Sequence, residues 1–308
     1  MAYPIDRKLV IAIASSALFD LAECDAVFRE KGEEEYRRYQ RDNQKRLLPQ
    51  GVAFPFIKRF LRLNSIFQDQ KPVEVVLLSK NDPDTGLRVF SSIKQYGLSI
   101  SRAGFLSGKS PYQYIPAFNA SLFLSASADD VRDAVKAGFP AGTVMRTKVT
   151  DDDNDPELRV AFDFDGVIVN DEAETVYQQS GDLDLFHQSE ADKSGIPLKP
   201  GPLEGLFRKL AYFQALEHKR EREDKTYKRT LRTAIITSRN APAHERAITT
   251  LRDWGVSADE TFFLGGIDKR RILEVLKPHI YFDDQLNNLK TEAAGIPSVH
   301  IPFGIANI

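Results

Sequence analysis

Short apolar runs alternate with longer amphipathic stretches along the whole chain. An apolar run such as VEVVLL predicts a buried strand, whereas apolar residues spaced by three and four predict a helix. The predicted strands cover residues 8–14, 73–78, 105–106 and 122–124 in the first half and residues 158–162, 232–236, 262–264 and 280–282 in the second. Regular alternation of strand and helix is typical of parallel sheets covered by helices, so the pattern predicts an α/β fold.

The predicted helices occur in the same order in both halves. They cover residues 21–47, 54–67, 85–96 and 129–137 in the first half and residues 172–192, 201–217, 242–254 and 286–294 in the second. Gly97 and Gly255 are expected to end the third helix of their halves, because glycine readily adopts the left-handed conformation found at helix ends. The order of elements is therefore repeated.

The two halves also resemble each other residue by residue. The segment VFSSIKQYGLSISRAGFLSG, which begins at Val89, aligns without a gap with AITTLRDWGVSADETFFLGG, which begins at Ala247. Self-similarity over whole α/β units indicates a tandem repeat. We therefore expect two similar parallel-sheet domains, at residues 1–150 and 151–308.

The strand ends of the two halves differ in chemistry. With the first half named first, the alignment pairs Ala14 with Asp163, Ser16 with Asp165, Leu78 with Thr237, Ser125 with Asp283 and Ala126 with Asp284. The first half keeps the predicted scaffold and lacks the carboxylates. We therefore expect residues 1–150 to form a degenerate domain with a structural or regulatory role.

Polar side chains follow four predicted strands of the second half, namely Asp163, Asp165, Thr237, Ser238, Lys269, Asp283 and Asp284. The carboxyl ends of parallel strands converge on one crevice, where ligands bind. Clustered carboxylates repel one another and offer the oxygen ligands that Mg²⁺ prefers, while lysine and threonine suit a phosphate group. The sequence predicts a magnesium and phosphate site here; the alternative is a turn whose aspartates cap local amides.

Composition narrows the class of protein. The chain has 308 residues, 42% of them hydrophobic and 28% charged, with a formal net charge of −2. This composition is typical of a soluble globular protein and provides no global field for nucleic acid or an acidic membrane. Its one cysteine, Cys24, cannot form an internal disulfide, which fits a reducing compartment. We expect a cytoplasmic protein with neither a nucleic-acid nor a membrane partner, and formation of a homo-oligomer stays open.

Several segments resemble the cytosolic 5'-nucleotidase I family of haloacid dehalogenase-like (HAD) phosphohydrolases. They are LVIAIASSALFD, GVAFPFIKRF, GKSPYQYIPAFNASLFLSA, LRVAFDFDGVIVNDE, LRDWGVSADETFFLGG and PHIYFDDQ. The resemblance implies two HAD-like (Rossmannoid) domains, the second with a small helical cap insertion at about residues 172–199 that contacts the nucleoside. Phe164 departs from the pattern, because a small residue is expected between the two aspartates.

The resemblance also implies an activity and a role for each site residue. The chain would be a Mg²⁺-dependent 5'-nucleotidase that hydrolyses nucleoside 5'-monophosphates such as AMP. Asp163 would be the nucleophile that forms an aspartyl-phosphate, and Asp165 the general acid and base. Phosphate would be bound by Asp163, Thr237, Ser238 and Lys269. The metal would be held by Asp163, the carbonyl of Asp165 and Asp283, with Asp284 either as a further ligand or behind the ligands.

Two other functions fit parts of the same pattern. A HAD phosphatase for sugar phosphates or other small phosphomonoesters would use the same strand-end residues but would not require a base. A non-enzymatic nucleotide-binding regulator would need phosphate contacts but no nucleophile, so Asp163 together with Asp165 argues against it.

Overall fold

The computed structural model describes residues 3–149, 151–290 and 295–307. The chain divides into two compact units, Met1–Val149 and Thr150–Ile308. Each unit contains its own set of parallel strands with helices between them, so the predicted α/β class is confirmed. Within the described ranges, no helix is both long enough and apolar enough to cross a bilayer.

The first unit contains five strands: β1 (Leu9–Ile13), β2 (Val73–Ser79), β3 (Arg102–Phe105), β4 (Ala120–Ser125) and β5 (Ala141–Val144). Their spatial order is β3-β2-β1-β4-β5, with parallel pairing throughout. The helices are α1 (Ser15–Leu18), α2 (Ala22–Asp42), α3 (Phe54–Ile66), α4 (Pro83–Gln95) and α5 (Ala128–Lys136). Every residue of β1 and β2 is buried, which explains why these strands are apolar on both faces, apart from Glu74 and Ser79 of β2.

The second unit repeats this arrangement with β6 (Leu158–Phe162), β7 (Leu231–Thr237), β8 (Glu260–Phe263), β9 (Ile280–Asp283) and β10 (Ser298–His300). Their order is β10-β9-β6-β7-β8, so the first strand of the unit is again central and flanked by the second and fourth. The helices are α6 (Glu172–Ser180), α7 (Leu183–Asp192), α8 (Glu204–Glu223), α9 (His244–Asp253) and α10 (Arg270–Leu276).

Equivalent backbone hydrogen bonds join the central strand to the fourth strand in each unit. The amide of Ala14 donates to the carbonyl of Leu124 at 2.8 Å, and that of Asp163 donates to the carbonyl of Phe282 at 2.8 Å. Ala14 therefore occupies the structural position of Asp163, as the alignment of the two halves predicts.

The predicted pairing of Leu78 with Thr237 is wrong by one residue. The Thr237 hydroxyl accepts a hydrogen bond from the amide of Arg239 at 3.2 Å, and the Ser79 hydroxyl accepts one from the amide of Asn81 at 3.2 Å. Ser79 is thus the counterpart of Thr237. A strand that is apolar on both faces has no alternation to set its register, so the sequence alignment slipped there.

The insertion between β6 and α8 leaves and re-enters the unit at one point. The amide of Asn170 donates to the carbonyl of Lys199 at 2.9 Å, and the amide of Gly201 donates to the carbonyl of Ile168 at 2.9 Å. A β-carbon on Gly201 would lie 2.3 Å from the carbonyl oxygen of Val169, so only glycine fits there.

Some predicted elements differ from the structure. The single helix predicted for the insertion is two helices, because Gly181 ends α6 at a φ of 65° and the Asp182 carboxylate caps α7 through the amide of Asp184 at 2.8 Å. The helix predicted at residues 286–294 is a 3₁₀ turn at Leu286–Leu289, and residues 291–294 lie outside the described ranges. Helix α10 and strands β5 and β10 are too short to leave a periodic pattern, so they were not predicted.

Candidate active site

The carboxyl ends of neighbouring strands bring three acidic side chains of the second unit together. Asp163 follows β6, while Asp283 ends β9 and Asp284 follows it. All three are buried, and each offers a carboxylate oxygen within 4.8 Å of the others. Their convergence was predicted, because the carboxyl ends of strands in one parallel sheet meet at the same edge.

Lys269, at the start of α10, lies among these acids. Its Nζ atom is 2.8 Å from Oδ2 of Asp163 and 2.8 Å from Oδ2 of Asp283. Burial opposes charge on this lysine, but attraction by the two carboxylates outweighs it and holds the pKa of Lys269 above its ordinary value. The lysine therefore stays a cation that fixes both carboxylates.

The cluster nevertheless has more negative than positive groups. Burial raises the pKa of Asp163 to about 7, against the attraction of Lys269 and with the repulsion of Asp283. Burial also raises the pKa of Asp284 to about 9, and repulsion by Asp163 and Asp283 adds to it. Three carboxylates face one lysine, so a further cation would reduce the repulsion among them.

The hydrogen bonds distinguish Asp283 from Asp284. Oδ2 of Asp283 accepts from Lys269 and from the hydroxyl of Tyr281, and its Oδ1 accepts from the amide of Gln285 at 2.8 Å. Oδ1 of Asp284 is buried and has no hydrogen-bond partner among the described residues. An all-oxygen cluster with one orphaned carboxylate oxygen fits a hard divalent cation such as Mg²⁺, and Asp284 is the acid with an oxygen to offer.

Gly166 makes room for Asp284. Its φ is 71°, a value that favours glycine, and a β-carbon there would lie 2.5 Å from Oδ2 of Asp284. The glycine of the DFDGV segment therefore has a steric reason as well as a conformational one.

Asp165 has a different environment from the other acids. Its two carboxylate oxygens accept from Nε and Nη2 of Arg239, each at 2.8 Å, in a bidentate pair. Thr237 is buried at the end of β7, and Ser238, next in the chain, is exposed. The predicted residues thus fall into the buried acid–lysine cluster, the arginine-held Asp165, and the strand-end hydroxyls of Thr237 and Ser238.

Three residues of this region were missed from the sequence, namely Arg239, Tyr281 and Glu190. Arg239 directly follows Thr237 and Ser238, so its place after a strand end was an available signal. Tyr281 lies two residues before Asp283 on the same strand, and side chains at this spacing share a face. No local pattern marks Glu190, which lies on the insertion.

Comparison with known proteins gives a consistent picture. A family model described as 5'-nucleotidase matches residues 1–308. Human cytosolic 5'-nucleotidase 1B is 33% identical over 290 residues, which cover 92% of this chain and 47% of the human protein. The chain therefore spans about half the length of that relative. Among solved structures, "S. aureus MnaA-UDP co-structure" covers 94% of this chain and 78% of its own at 12% identity, with a TM-score of 0.21 that is too low to inform fold or ligand.

Proposed function

This chain belongs to the 5'-nucleotidase family, and we propose that it hydrolyses nucleoside 5'-monophosphates to nucleosides and phosphate. One observation carries the proposal: the buried cluster of Asp163, Lys269, Asp283 and Asp284 at the carboxyl ends of the strands. Such a cluster suits an anionic phosphate ester that is bound together with a divalent cation.

We propose that Mg²⁺ is held by the carboxylates of Asp163 and Asp284 and by the carbonyl of Asp165. Asp283 would contribute to the metal site less directly, since its oxygens already accept hydrogen bonds from Lys269, Tyr281 and the backbone. Bound Mg²⁺ would neutralise charge, so that an anionic carboxylate and an anionic phosphate can approach.

In the proposed reaction Asp163 attacks phosphorus, and the bond from phosphorus to the ribose 5'-oxygen breaks. Asp165 gives its proton to that oxygen, which leaves as the nucleoside hydroxyl. Water then attacks the aspartyl-phosphate while Asp165 takes up its proton, and phosphate is released. Lys269, Thr237 and Ser238 would bind the phosphoryl oxygens during both steps.

A substrate panel tests this function. Phosphate release from nucleoside monophosphates, ribose 5-phosphate and glycerol phosphate is measured with Mg²⁺ and with a chelator. We expect turnover of the nucleotides only with Mg²⁺, and much slower turnover when the base is absent. Equal rates on ribose 5-phosphate would favour a general phosphomonoesterase, and nucleotide binding without phosphate release would favour a regulator.

We further propose that residues 1–150 form a degenerate domain with a structural or regulatory role, while residues 151–308 perform the chemistry. The support is the shared strand order of the two units, combined with the absence of the carboxylates at the matching strand ends of the first. A cytoplasmic location is proposed as well, because the human relative is named cytosolic.

A further inference from the structure

An ion pair with a buried arginine holds Asp165. Arg239 is 3% exposed and grips both oxygens of Asp165. Its Nη1 atom donates to a carboxylate oxygen of Glu190 and to the carbonyl of Ala243, the latter at 3.0 Å. Its guanidinium also lies over the ring of Phe164, 5.5 Å from the centroid. Each guanidinium nitrogen of Arg239 therefore has an acceptor, and an aromatic ring packs against the group.

Glu190 connects this arginine to the insertion. It lies on α7, is 1% exposed, and accepts from Arg246 Nη1 at 2.8 Å with the oxygen that Arg239 does not use. Arg246 in turn donates to Glu172 at the start of α6, at 3.1 Å. An alternating chain of charges thus runs from Asp165 to both helices of the insertion.

The first unit has a buried arginine in the position of Arg246, but its partner there carries no charge. Arg88 donates to the carbonyl of Arg46 at 3.0 Å, as Arg246 donates to that of Ile196 at 2.9 Å. The next partner of Arg88, however, is neutral Gln40, at 3.1 Å.

The position of Arg239 also differs between the units. Asn81 stands there in the first unit, since its amide donates to the Ser79 hydroxyl as that of Arg239 does to Thr237. The fold of the first unit therefore forms without a counterpart of the Arg239 side chain and without the charge of Glu190. Taking paired charges out of water costs free energy that their mutual attraction often only offsets, so these charges call for a reason beyond folding.

We propose that Arg239 is a positioning residue that orients the carboxylate of Asp165 toward the leaving oxygen, and that Glu190 makes this orientation depend on the docked insertion. The inference rests on the proposed function, because it acts through Asp165 as proton donor. A bidentate guanidinium fixes both the position and the plane of a carboxylate, which a single hydrogen bond does not.

The leaving group provides a readout that general damage to the fold does not mimic. A ribose alkoxide is a poor leaving group and needs a well-placed proton donor, whereas a nitrophenolate leaves readily without one. Loss of the positioning residue should therefore lower kcat/KM for AMP much more than kcat/KM for 4-nitrophenyl phosphate. kcat/KM is the suitable quantity because it reports the steps up to phosphoryl transfer.

The experiment compares Arg239→Ala, Arg239→Lys and Glu190→Gln with the wild type in the full-length chain with Mg²⁺. For Arg239→Ala we expect kcat/KM on AMP to fall about a hundredfold, and on the aryl ester by much less. KM for AMP should change little, and added guanidinium ion should restore part of the rate where added sodium does not. Glu190→Gln should show the same pattern with a smaller loss.

Arg88→Ala is the matched control, because it removes a buried arginine from the equivalent framework of the first unit. It should leave the AMP-to-aryl ratio of kcat/KM unchanged. If Arg239→Ala does not fold, as judged by circular dichroism, Arg239→Lys gives the same test, since lysine keeps the charge without the planar fork.

Three results overturn the inference. Equal losses on both substrates would make Arg239 merely structural, and a gain in activity would mean that it restrains Asp165. An altered ratio for Arg239→Ala with an unaltered ratio for Glu190→Gln would remove the link to the insertion. A wild-type protein inactive on both esters would instead contradict the proposed function.

Discussion

The two units build the same strand ends with different side chains. In the first, the amide of Ser127 donates to the hydroxyl of Ser125 at 3.1 Å; in the second, the amide of Gln285 donates to a carboxylate oxygen of Asp283 at 2.8 Å. A neutral hydroxyl therefore caps the backbone where an acid does so in the other unit. The comparison teaches that the carboxylates of the second unit are not required by the fold.

The loop after the central strand shows the second difference. Two residues separate Ala14 from Ala17, whereas three separate Asp163 from Val167, and both end residues make equivalent backbone hydrogen bonds in their units. The longer loop contains Gly166, whose missing β-carbon leaves space for a carboxylate. One added residue and a few substitutions thus separate a structural strand end from a candidate active site.

The strongest test of this difference exchanges its central residue. Asp163→Asn should lower phosphate release from AMP by about a thousandfold or more, because an amide cannot act as the nucleophile. Placing the acid in the other unit, as Ala14→Asp in the Asp163→Asn background, should restore nothing, since Pro111 stands there at the position of Lys269. Activity regained in the double variant would mean that the units are chemically interchangeable.

Mg²⁺ should stabilise the protein through the acids of the second unit and not through those of the first. At a Mg²⁺ concentration of about a hundred times Kd, the free energy of unfolding should rise by about 2.7 kcal/mol, measured by thermal or urea unfolding. Asp284→Asn should abolish this rise.

The matched variant for the metal test is Asp130→Asn in the first unit. Asp130 is also a buried acid, but it pairs with Lys80 at 2.7 Å, so its loss should leave the Mg²⁺ effect intact. If this variant lost the Mg²⁺ effect, the assignment of the metal to the second unit would be wrong.

The glycine of the longer loop can be compared with another glycine of the second unit. Gly166→Ala should destabilise the protein by roughly 2 kcal/mol and lower turnover, through both the positive φ and the clash with Asp284. Gly181 has a φ of 65° and no atom of the described residues within 4 Å of an added β-carbon. Gly181→Ala should therefore cost only about 1 kcal/mol and leave turnover unchanged, and equal effects would dismiss the steric role.

The smallest effect is expected at the strand-end hydroxyls. Ser79→Ala removes a buried hydrogen bond of 2.9 Å to Ser15 and should cost about 1 kcal/mol of stability without affecting turnover. Thr237→Ala should also lower kcat on AMP, because its hydroxyl is proposed to contact phosphate. If both variants changed only stability, the assignment of Thr237 to phosphate binding would be wrong.

Much of the fold was predictable because buried parallel strands leave apolar runs that survive in the sequence. The central strand of the second unit was predicted at its observed bounds, Leu158–Phe162. The acidic cluster was predictable for the same reason, since its members lie at the carboxyl ends of such strands. The register of β2 was not, because a strand apolar on both faces carries no alternation.

The ion network could not be predicted from the sequence. Glu190 and Arg239 are 49 positions apart, and nothing in the sequence around either residue marks the other as its partner. Which charges pair depends on how α7 packs, and packing is a property of the folded chain rather than of any segment. Pairing between distant residues is therefore the part of the site that required the structure.

The junction at Gly201 has a consequence for how far the length of the insertion can vary. Hydrogen bonds hold both ends of the insertion at the same place, so the segment between them forms a closed loop. The entropy of closing a flexible loop grows only with the logarithm of its length, by about 0.6 kcal/mol for each doubling. The insertion can therefore lengthen or shorten at little entropic cost while Gly201 and the buried pairing of Glu190 with Arg239 and Arg246 are kept. The length of this segment can thus change while the strand ends beneath it stay the same.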